Sequence, residues 1–453
     1  PRLVGVMAAA FAAGLLPYLY PLIRARSNPG LNWDDPRDLS GLLHLFFRRD
    51  YGTFALMPDQ ARESLGHTSR FDQLPAYFGD VLAGAALVLG LLALAGLVDR
   101  ALQDRSTVNA EGGLRPQALR APPALAIALA WLFPGPIFLM VANCPLSHPY
   151  YQGVAERFYV LPQLPLAMLA GAGTAWLCRR LPPLGAVIAA GVLAMGLSHY
   201  DRVDQSRNTV GVDAMHNLLA TLPENALFLT VGDGPTMLLE YAQFGLGLRP
   251  DVVVLDQDKL KYPWYVSSKR RNHSSVTFPW KVYDEGRTAT MAEFVAANYG
   301  TRPILLWGTL DPSVHQRFRL LPAGLAQRVA DPGENPTPDE MAAHVEKVWA
   351  GYEKRSMGDR YDPRRFEYLL TSFYGFPFYN VGGEYAATGR LDQAEEYYRK
   401  AIEAAPHYAL PHRQLGLLLL RQGRPQGSAE LEAYLELEPD AHDAAELRKL
   451  LSR

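Results

Sequence analysis

Five stretches of this chain stay apolar for long enough to cross a lipid bilayer, and no other feature restricts its fold as much. They cover roughly residues 3–23, 81–98, 122–142, 158–177 and 182–198. A helix needs about 20 apolar residues to span the hydrocarbon core. None of the five has a Lys, Arg, Asp or Glu in its interior, whereas a soluble core helix is shorter or carries a polar stripe. Pro17, Pro134, Pro136, Pro162 and Pro165 fall inside them. Spanning helices tolerate such prolines because neighbouring helices satisfy the freed carbonyls.

The 453 residues suggest two or three domains. The apolar residues concentrate before His199, so the sequence divides into membrane helices with their loops (1–199), a small α/β domain (200–340) and a helical region (341–453). A net charge of -2 gives no footprint for nucleic acid. Cys144 and Cys178 sit in no metal spacing, and the eleven histidines include no HExxH or His-x-His pair, so no metal site is expected. The chain starts at Pro1 without a leader pattern and reads as the later part of a longer protein. Arg100, Arg105, Arg115 and Arg120 in one loop, and Arg179 and Arg180 in another, read as cytoplasmic. Everything after His199 then lies outside. The long 24–80 loop would also be outside, although it holds seven arginines.

In that loop, Asp38 can cap a short helix bearing Leu42, Leu43, Leu45, Phe46 and Phe47, closed by Arg48 and Arg49. Asn32-Trp33-Asp34-Asp35-Pro36 precedes it. A carboxylate pair beside a membrane suits a cationic or metal-bound group. Asp-Pro is equally turn chemistry, and Trp33 an interfacial anchor. On the residues alone the turn is favoured. The 143–157 loop contains Ser147, His148, Tyr150 and Tyr151. The Glu156-Arg157 pair where the next span begins either anchors a helix or meets an anionic headgroup or phosphate.

Residues 226–231, 251–255 and 303–307 read as buried strands, with a helix over 236–244 between the first two, which predicts parallel pairing. Met237, Leu238, Tyr241 and Phe244 share one face of that helix. The Gly232-Asp233-Gly234-Pro235 turn stands where open α/β sheets bind ligands, but it is neither GxGxxG nor a Walker loop. Asp233 is read first as a helix cap. Tyr262-Pro263-Trp264-Tyr265 followed by Lys269-Arg270-Arg271 is an aromatic-basic stretch, able to stack on sugars or headgroups or simply to anchor a loop.

Gly382 and Gly416, like Gly389 and Gly423, are 34 residues apart. With Tyr385, Ala394, Tyr398, Ala401 and Pro406 they match the tetratricopeptide period. Two copies and a capping helix over 440–451 are expected, binding a peptide or bracing the domain.

Three blocks, NWDDPRDLSGLLHLFFRRDYG, AERFYVLPQLPLAMLAGAG and LFLTVGDGPTMLLEYAQFGLGLRPDVVVLD, occur in the order found in the transmembrane protein O-mannosyltransferase-like family of the glycosyltransferase C superfamily. The chain resembles that family over roughly residues 1–270. The resemblance implies a polytopic α-helical membrane enzyme, with about five spans in this part, then an α/β extracytoplasmic domain and a tetratricopeptide tail. It implies transfer of a sugar, mannose in the family, from a polyprenyl phosphate to an extracytoplasmic Ser or Thr. No cofactor is implied beyond that lipid-linked donor. The implied partners are membrane lipid and an acceptor protein or peptide held by the repeats. Such chemistry needs a carboxylate base and cations for the phosphate. Asp34 and Asp35, with Trp33, are expected near donor or acceptor; Glu156 and Arg157 near the lipid phosphate; Asp233 and Arg249 follow. The family's acidic N-terminal motif has no match here, so the catalytic base is expected upstream of Pro1. The alternative is a non-enzymatic membrane-anchored scaffold. The Arg, Ala and Pro content suggests a bacterial inner membrane with the C-terminal part periplasmic.

Overall fold

The computed structural model describes residues 2–53, 69–83, 123–142, 144–146, 148–284, 288–357 and 361–452, with isolated residues at 92, 94–96 and 98. It is mostly helical with one small sheet, and its contacts form two compact units. One unit joins Pro1–Phe46 to Asn208–Arg453; the other is Phe47–Arg207.

Two helices among the described residues are long and apolar enough to cross a membrane, Ala8–Ala25 and Pro149–Arg180. Ile127–Ala142 and Pro183–Ser198 are apolar but shorter. Among the described residues, two of the five expected spans reach that length, and two more are present as shorter apolar helices. Most of the 81–98 stretch, and Arg100, Arg105, Arg115 and Arg120, lie outside the described residues. The prolines change the local helix type without ending the helices. Pro17 sits in a 3-10 turn, Leu16–Tyr18, and Pro134 and Pro136 in a π turn, Phe133–Ile137, where Gly135 leaves helical geometry.

Within the Phe47–Arg207 unit, Tyr77, Leu139, Cys144, Ala155 and Tyr159 form a buried cluster. A Cβ added to Gly173, on the Val160–Arg180 helix, would run into Leu92 O, so the backbone passes closely at these two residues.

In the other unit a five-stranded sheet has the order β2-β1-β3-β5-β4. β1 (Leu227–Thr230) pairs in parallel with β2 (Val253–Asp256) and β3 (Ile304–Leu306), as the spacing of the apolar runs predicts. An antiparallel hairpin, β4 (Arg319–Pro322) and β5 (Gln327–Ala330), extends the sheet beside β3 and was not foreseen. Its strands are short, and its turn depends on Gly324 at φ +85.

Alternate side chains divide between two cores. Leu227, Leu229, Val253, Leu255, Ile304 and Leu306 face one. Phe228, Val254, Leu305 and Trp307 face the other, which continues into the helices after residue 341 through Val345, Tyr374, Tyr385, Tyr398 and Leu415. The packing therefore runs without a break across residue 340.

Two antiparallel helix pairs follow, Phe376–Ala387 with Leu391–Ala404 and Ala409–Arg421 with Gln426–Leu437, then Ala444–Leu451. Corresponding glycines do corresponding work. A Cβ on Gly382 would lie 2.7 Å from the Tyr398 ring, and one on Gly416 2.8 Å from Leu431. Gly389 and Gly423 both turn the chain at positive φ, +77 and +71.

A Cβ at Gly427 would sit 2.5 Å from Gly416 O, whereas one at Gly383 meets nothing within 4 Å. Gly427→Ala should therefore destabilise by about 1–3 kcal/mol. Gly383→Ala should be neutral or stabilise by up to about 1 kcal/mol. Denaturation midpoints of the two variants test this ordering.

Candidate functional site

The chain leaving the first apolar helix turns sharply at Asp34 and Asp35, which have left-handed backbones at φ 65 and 44. Two consecutive non-glycine residues in that region are uncommon, and surrounding contacts must hold them there. The Asp35 carboxylate accepts from Asn32 Nδ2 at 2.5 Å, receives Arg37 Nε at 3.0 Å and forms an ion pair with Arg271. Asn272 Nδ2 donates to Pro29 O at 3.2 Å, and Gly30 packs so closely on the Phe244 ring that no Cβ fits. Asp34 instead lies 3.0 Å from Nδ1 of His44, on the Leu39–Phe46 helix. Assigned from this geometry, the imidazole proton sits on Nδ1 and points at the carboxylate. That helix is capped by Asp38, whose Oδ1 accepts from Gly41 N–H at 2.8 Å.

The pinned loop forms one wall of a cavity of about 560 Å³. The opposite walls are the Asp233–Glu240 helix with its π turn, Tyr241–Gly245, and the Pro263–Asn272 helix. Met237, Tyr241 and Phe244, three of the four residues assigned to one apolar face, are exposed towards this cavity. Leu239 and Ala242 take the core side instead. Trp33 lies 5.8 Å from Trp264, tilted by 42°, and Tyr262 stacks on Trp264 at 6.0 Å.

Two buried lysines stand on the cavity floor. Lys259 Nζ is 2.9 Å from Asp256, 3.1 Å from Asp233 and 5.1 Å from the Trp33 ring centre. Burial alone would lower its pKa, but Asp256, Asp233 and Glu240 outweigh burial and raise it. Lys269 Nζ is 3.6 Å from Glu240 and donates to Val254 O at 3.2 Å. Here burial dominates and lowers the pKa. Tyr265 accepts the Asp256 backbone N–H at 2.8 Å. Asp258, raised by burial and by Asp256, accepts Gly232 N–H at 3.0 Å.

The structure thus places Trp33 on the cavity wall and Asp233 beside it through Lys259, whereas Asp35 pairs with Arg37 and Arg271 and holds the loop that bears Trp33. Gly232 occupies the cap position, Asp233 is the first residue of the helix, and its carboxylate pairs with Lys259. Arg249 is elsewhere: its guanidinium donates to Leu219 O, Leu222 O and Pro223 O and pairs with Asp251 at 2.9 Å, so it closes a helix end. In the Phe47–Arg207 unit, Arg157 is exposed in a 3-10 turn between two helices, with Glu156 half-buried just before it. Asn143 and Ser147 lie outside the described residues. His44, Glu240 and Lys259 were not singled out from sequence. Their signal was weak: His44 and Glu240 are single polar groups on otherwise apolar stretches, and Lys259 is one of several charges in the 256–261 run.

The comparisons with known proteins agree with the sequence blocks. The TMEM260-associated domain 2 family matches residues 211–316. The mouse protein O-mannosyl-transferase TMEM260 is 28% identical over 385 residues, 79% of this chain and 51% of the mouse protein. The chain is a relative of the O-mannosyltransferase-like TMEM260 family. A Dictyostelium discoideum protein O-mannosyl-transferase tmem260 is 24% identical over 347 residues, 70% of this chain and 40% of that protein. The chain spans about half or less of the length of these TMEM260 relatives. No solved structure matches.

Two tests follow from the site. Lys259→Met strands the Asp256 carboxylate, which is 1% exposed, and should cost about 3–5 kcal/mol in chemical denaturation. His273 ends the helix carrying Lys269, and burial, Lys269 and Arg302 push its pKa from 6.5 down to about 4. Between those values the unfolded chain gains a proton at this position that the folded chain refuses. Stability should therefore fall as pH drops from 6.5 to 4. His273→Gln should flatten that slope in a pH series of denaturation midpoints.

Proposed function

We propose that this chain is part of a membrane glycosyltransferase that moves a sugar, mannose in the relatives' naming, from a polyprenyl phosphate to a protein hydroxyl. The supporting observation is the likeness to two proteins named O-mannosyl-transferases, over 79% and 70% of this chain. In this reading the apolar helices span a membrane, a bacterial inner membrane by the residue composition. The region after His199 faces the periplasmic side. The paired helices of 376–451 are a tetratricopeptide-type array that positions the acceptor.

The reaction joins the acceptor oxygen to the anomeric carbon and breaks the bond from that carbon to phosphate. The electron pair of the broken bond leaves on phosphate, and the hydroxyl proton passes to a base. We assign the Asp34–His44 pair to the acceptor hydroxyl. Its carboxylate is 6% exposed and its imidazole is held by the 3.0 Å contact. Asp35 is committed to Arg37 and Arg271, which suits holding the loop rather than accepting a proton. Arg157 and Glu156 are assigned to the lipid phosphate, since an exposed guanidinium matches phosphate geometry.

A second reading, an anchored scaffold without catalysis, draws on a groove of about 470 Å³ floored by Trp349, Met357 and Phe378 and edged by Lys400 and Glu403.

The test uses the intact protein in lipid, a polyprenyl-phosphate-mannose donor and a Ser/Thr-rich acceptor. Asp34→Asn should reduce transfer about a hundredfold, and Arg157→Ala should reduce it more than it reduces protein level. Unchanged transfer in Asp34→Asn removes the pair from the reaction. No transfer by the wild type with any donor moves the weight to the scaffold.

A further inference from the structure

The cavity between the 30–33 loop and the Pro263–Asn272 helix has a chemical character that narrows what can occupy it. Its volume, about 560 Å³, falls in the ~300–1,000 Å³ range of small-molecule sites. Its walls are aromatic: Trp33 and Trp264 stand 5.8 Å apart, and Tyr241 is 57% exposed along the same opening. Its floor is ionic and buried, with Lys259 and Lys269 only 7% and 5% exposed.

Charge balance decides between ligand classes. Lys259 faces Asp256 and Asp233 at 2.9 and 3.1 Å, and Lys269 faces Glu240 at 3.6 Å. Two ammonium groups thus meet three carboxylates, which leaves no surplus positive field for a phosphate. An isoprenoid tail could cover the aromatic walls, but it would desolvate the ion pairs of the floor and offer their polar atoms no hydrogen bond of its own, a costly arrangement. A neutral polyhydroxyl ring fits both surfaces. Its C–H face covers indole rings, while its hydroxyls accept from ammonium groups and donate to carboxylates.

We propose that this cavity is a pyranose-binding subsite, in which Trp33 and Trp264 hold the sugar's apolar face and Lys259, Lys269 and Glu240 bind its hydroxyls. The assignment deepens the glycosyltransferase reading and rests on it for the sugar's identity. The sugar is either the donor's glycosyl group or one already on the acceptor.

The experiment is a saturation-transfer NMR titration of the intact protein in lipid nanodiscs with methyl α-mannopyranoside. Trp33→Ala, Trp264→Ala and the gentler Trp264→Phe are titrated alongside, and each variant's thermal midpoint is recorded. The wild type should bind the mannoside, and Trp264→Ala should weaken binding at least tenfold at an unchanged midpoint. Trp264→Phe should keep part of the affinity, which guards against a folding defect. Tighter binding of a farnesyl-phosphate mannose or of a mannosylated peptide supports the subsite and assigns the sugar to donor or acceptor respectively. No saturation transfer to the mannoside, equal binding by Trp264→Ala, or displacement by inorganic phosphate or mannose-free farnesyl phosphate overturns it. Sugar transfer that persists without mannoside binding here sinks the subsite but leaves the transferase. Binding without transfer does the reverse.

Discussion

The ion pair between Asp35 and Arg271 ties a loop near the start of the chain to a helix more than two hundred residues later. Without it, the two left-handed residues at 34 and 35 would have little reason to persist, because that conformation is strained for both. The same turn delivers Trp33 to one side of the cavity and Asp34 to His44. One contact therefore sets the positions of two groups with different chemistry. Arg37 and Asn32 approach the same carboxylate, so its lone pairs are well satisfied and a buried charge is tolerated.

Beneath that loop the buried lysines have a second role besides facing the cavity. Lys269 donates to a carbonyl of β2, and Lys259 lies between Asp256, the last residue of β2, and Asp233, just after β1. The ends of the two parallel strands are thus clamped by charges that also form a pocket floor. Ligand crevices in open α/β sheets form where strands end. Here the crevice is built from side chains on the following helices rather than from a glycine-rich turn.

Much of the parallel sheet was legible in the sequence, because runs such as Leu227–Leu229 and Val253–Leu255 are buried on both faces and read as continuous apolar strands. The Asp38 cap was legible for a local reason, its bond to Gly41 three residues on. The β4–β5 hairpin was not, since its strands are four residues each and carry arginines at 319 and 328. The apolar stretches were legible as helices, but hydropathy does not register the 3-10 turn at Pro17 or the π turn at Pro136 within them. The site was half visible. Trp33, Asp35 and the 262–271 stretch stood out by composition, but their meeting depends on long-range pairing that no local pattern encodes. Asp233 illustrates the limit: it reads as a cap, but the helix starts on it and its carboxylate pairs with Lys259, 26 residues on.

The core shared by Phe228, Val254 and Leu305 with Tyr374, Tyr385 and Leu415 has a mechanical consequence. Because the sheet and the first helix pair bury their apolar faces in one another, no linker separates them. Tyr385 and Arg390 on Asp339, and Tyr397 on Glu346, stitch the same junction at its edge. The helical array thus behaves as a stiff arm rather than a tethered module. Anything it grips is presented to the sheet at one distance and one angle, and the search volume that a flexible tether would leave open is removed in advance.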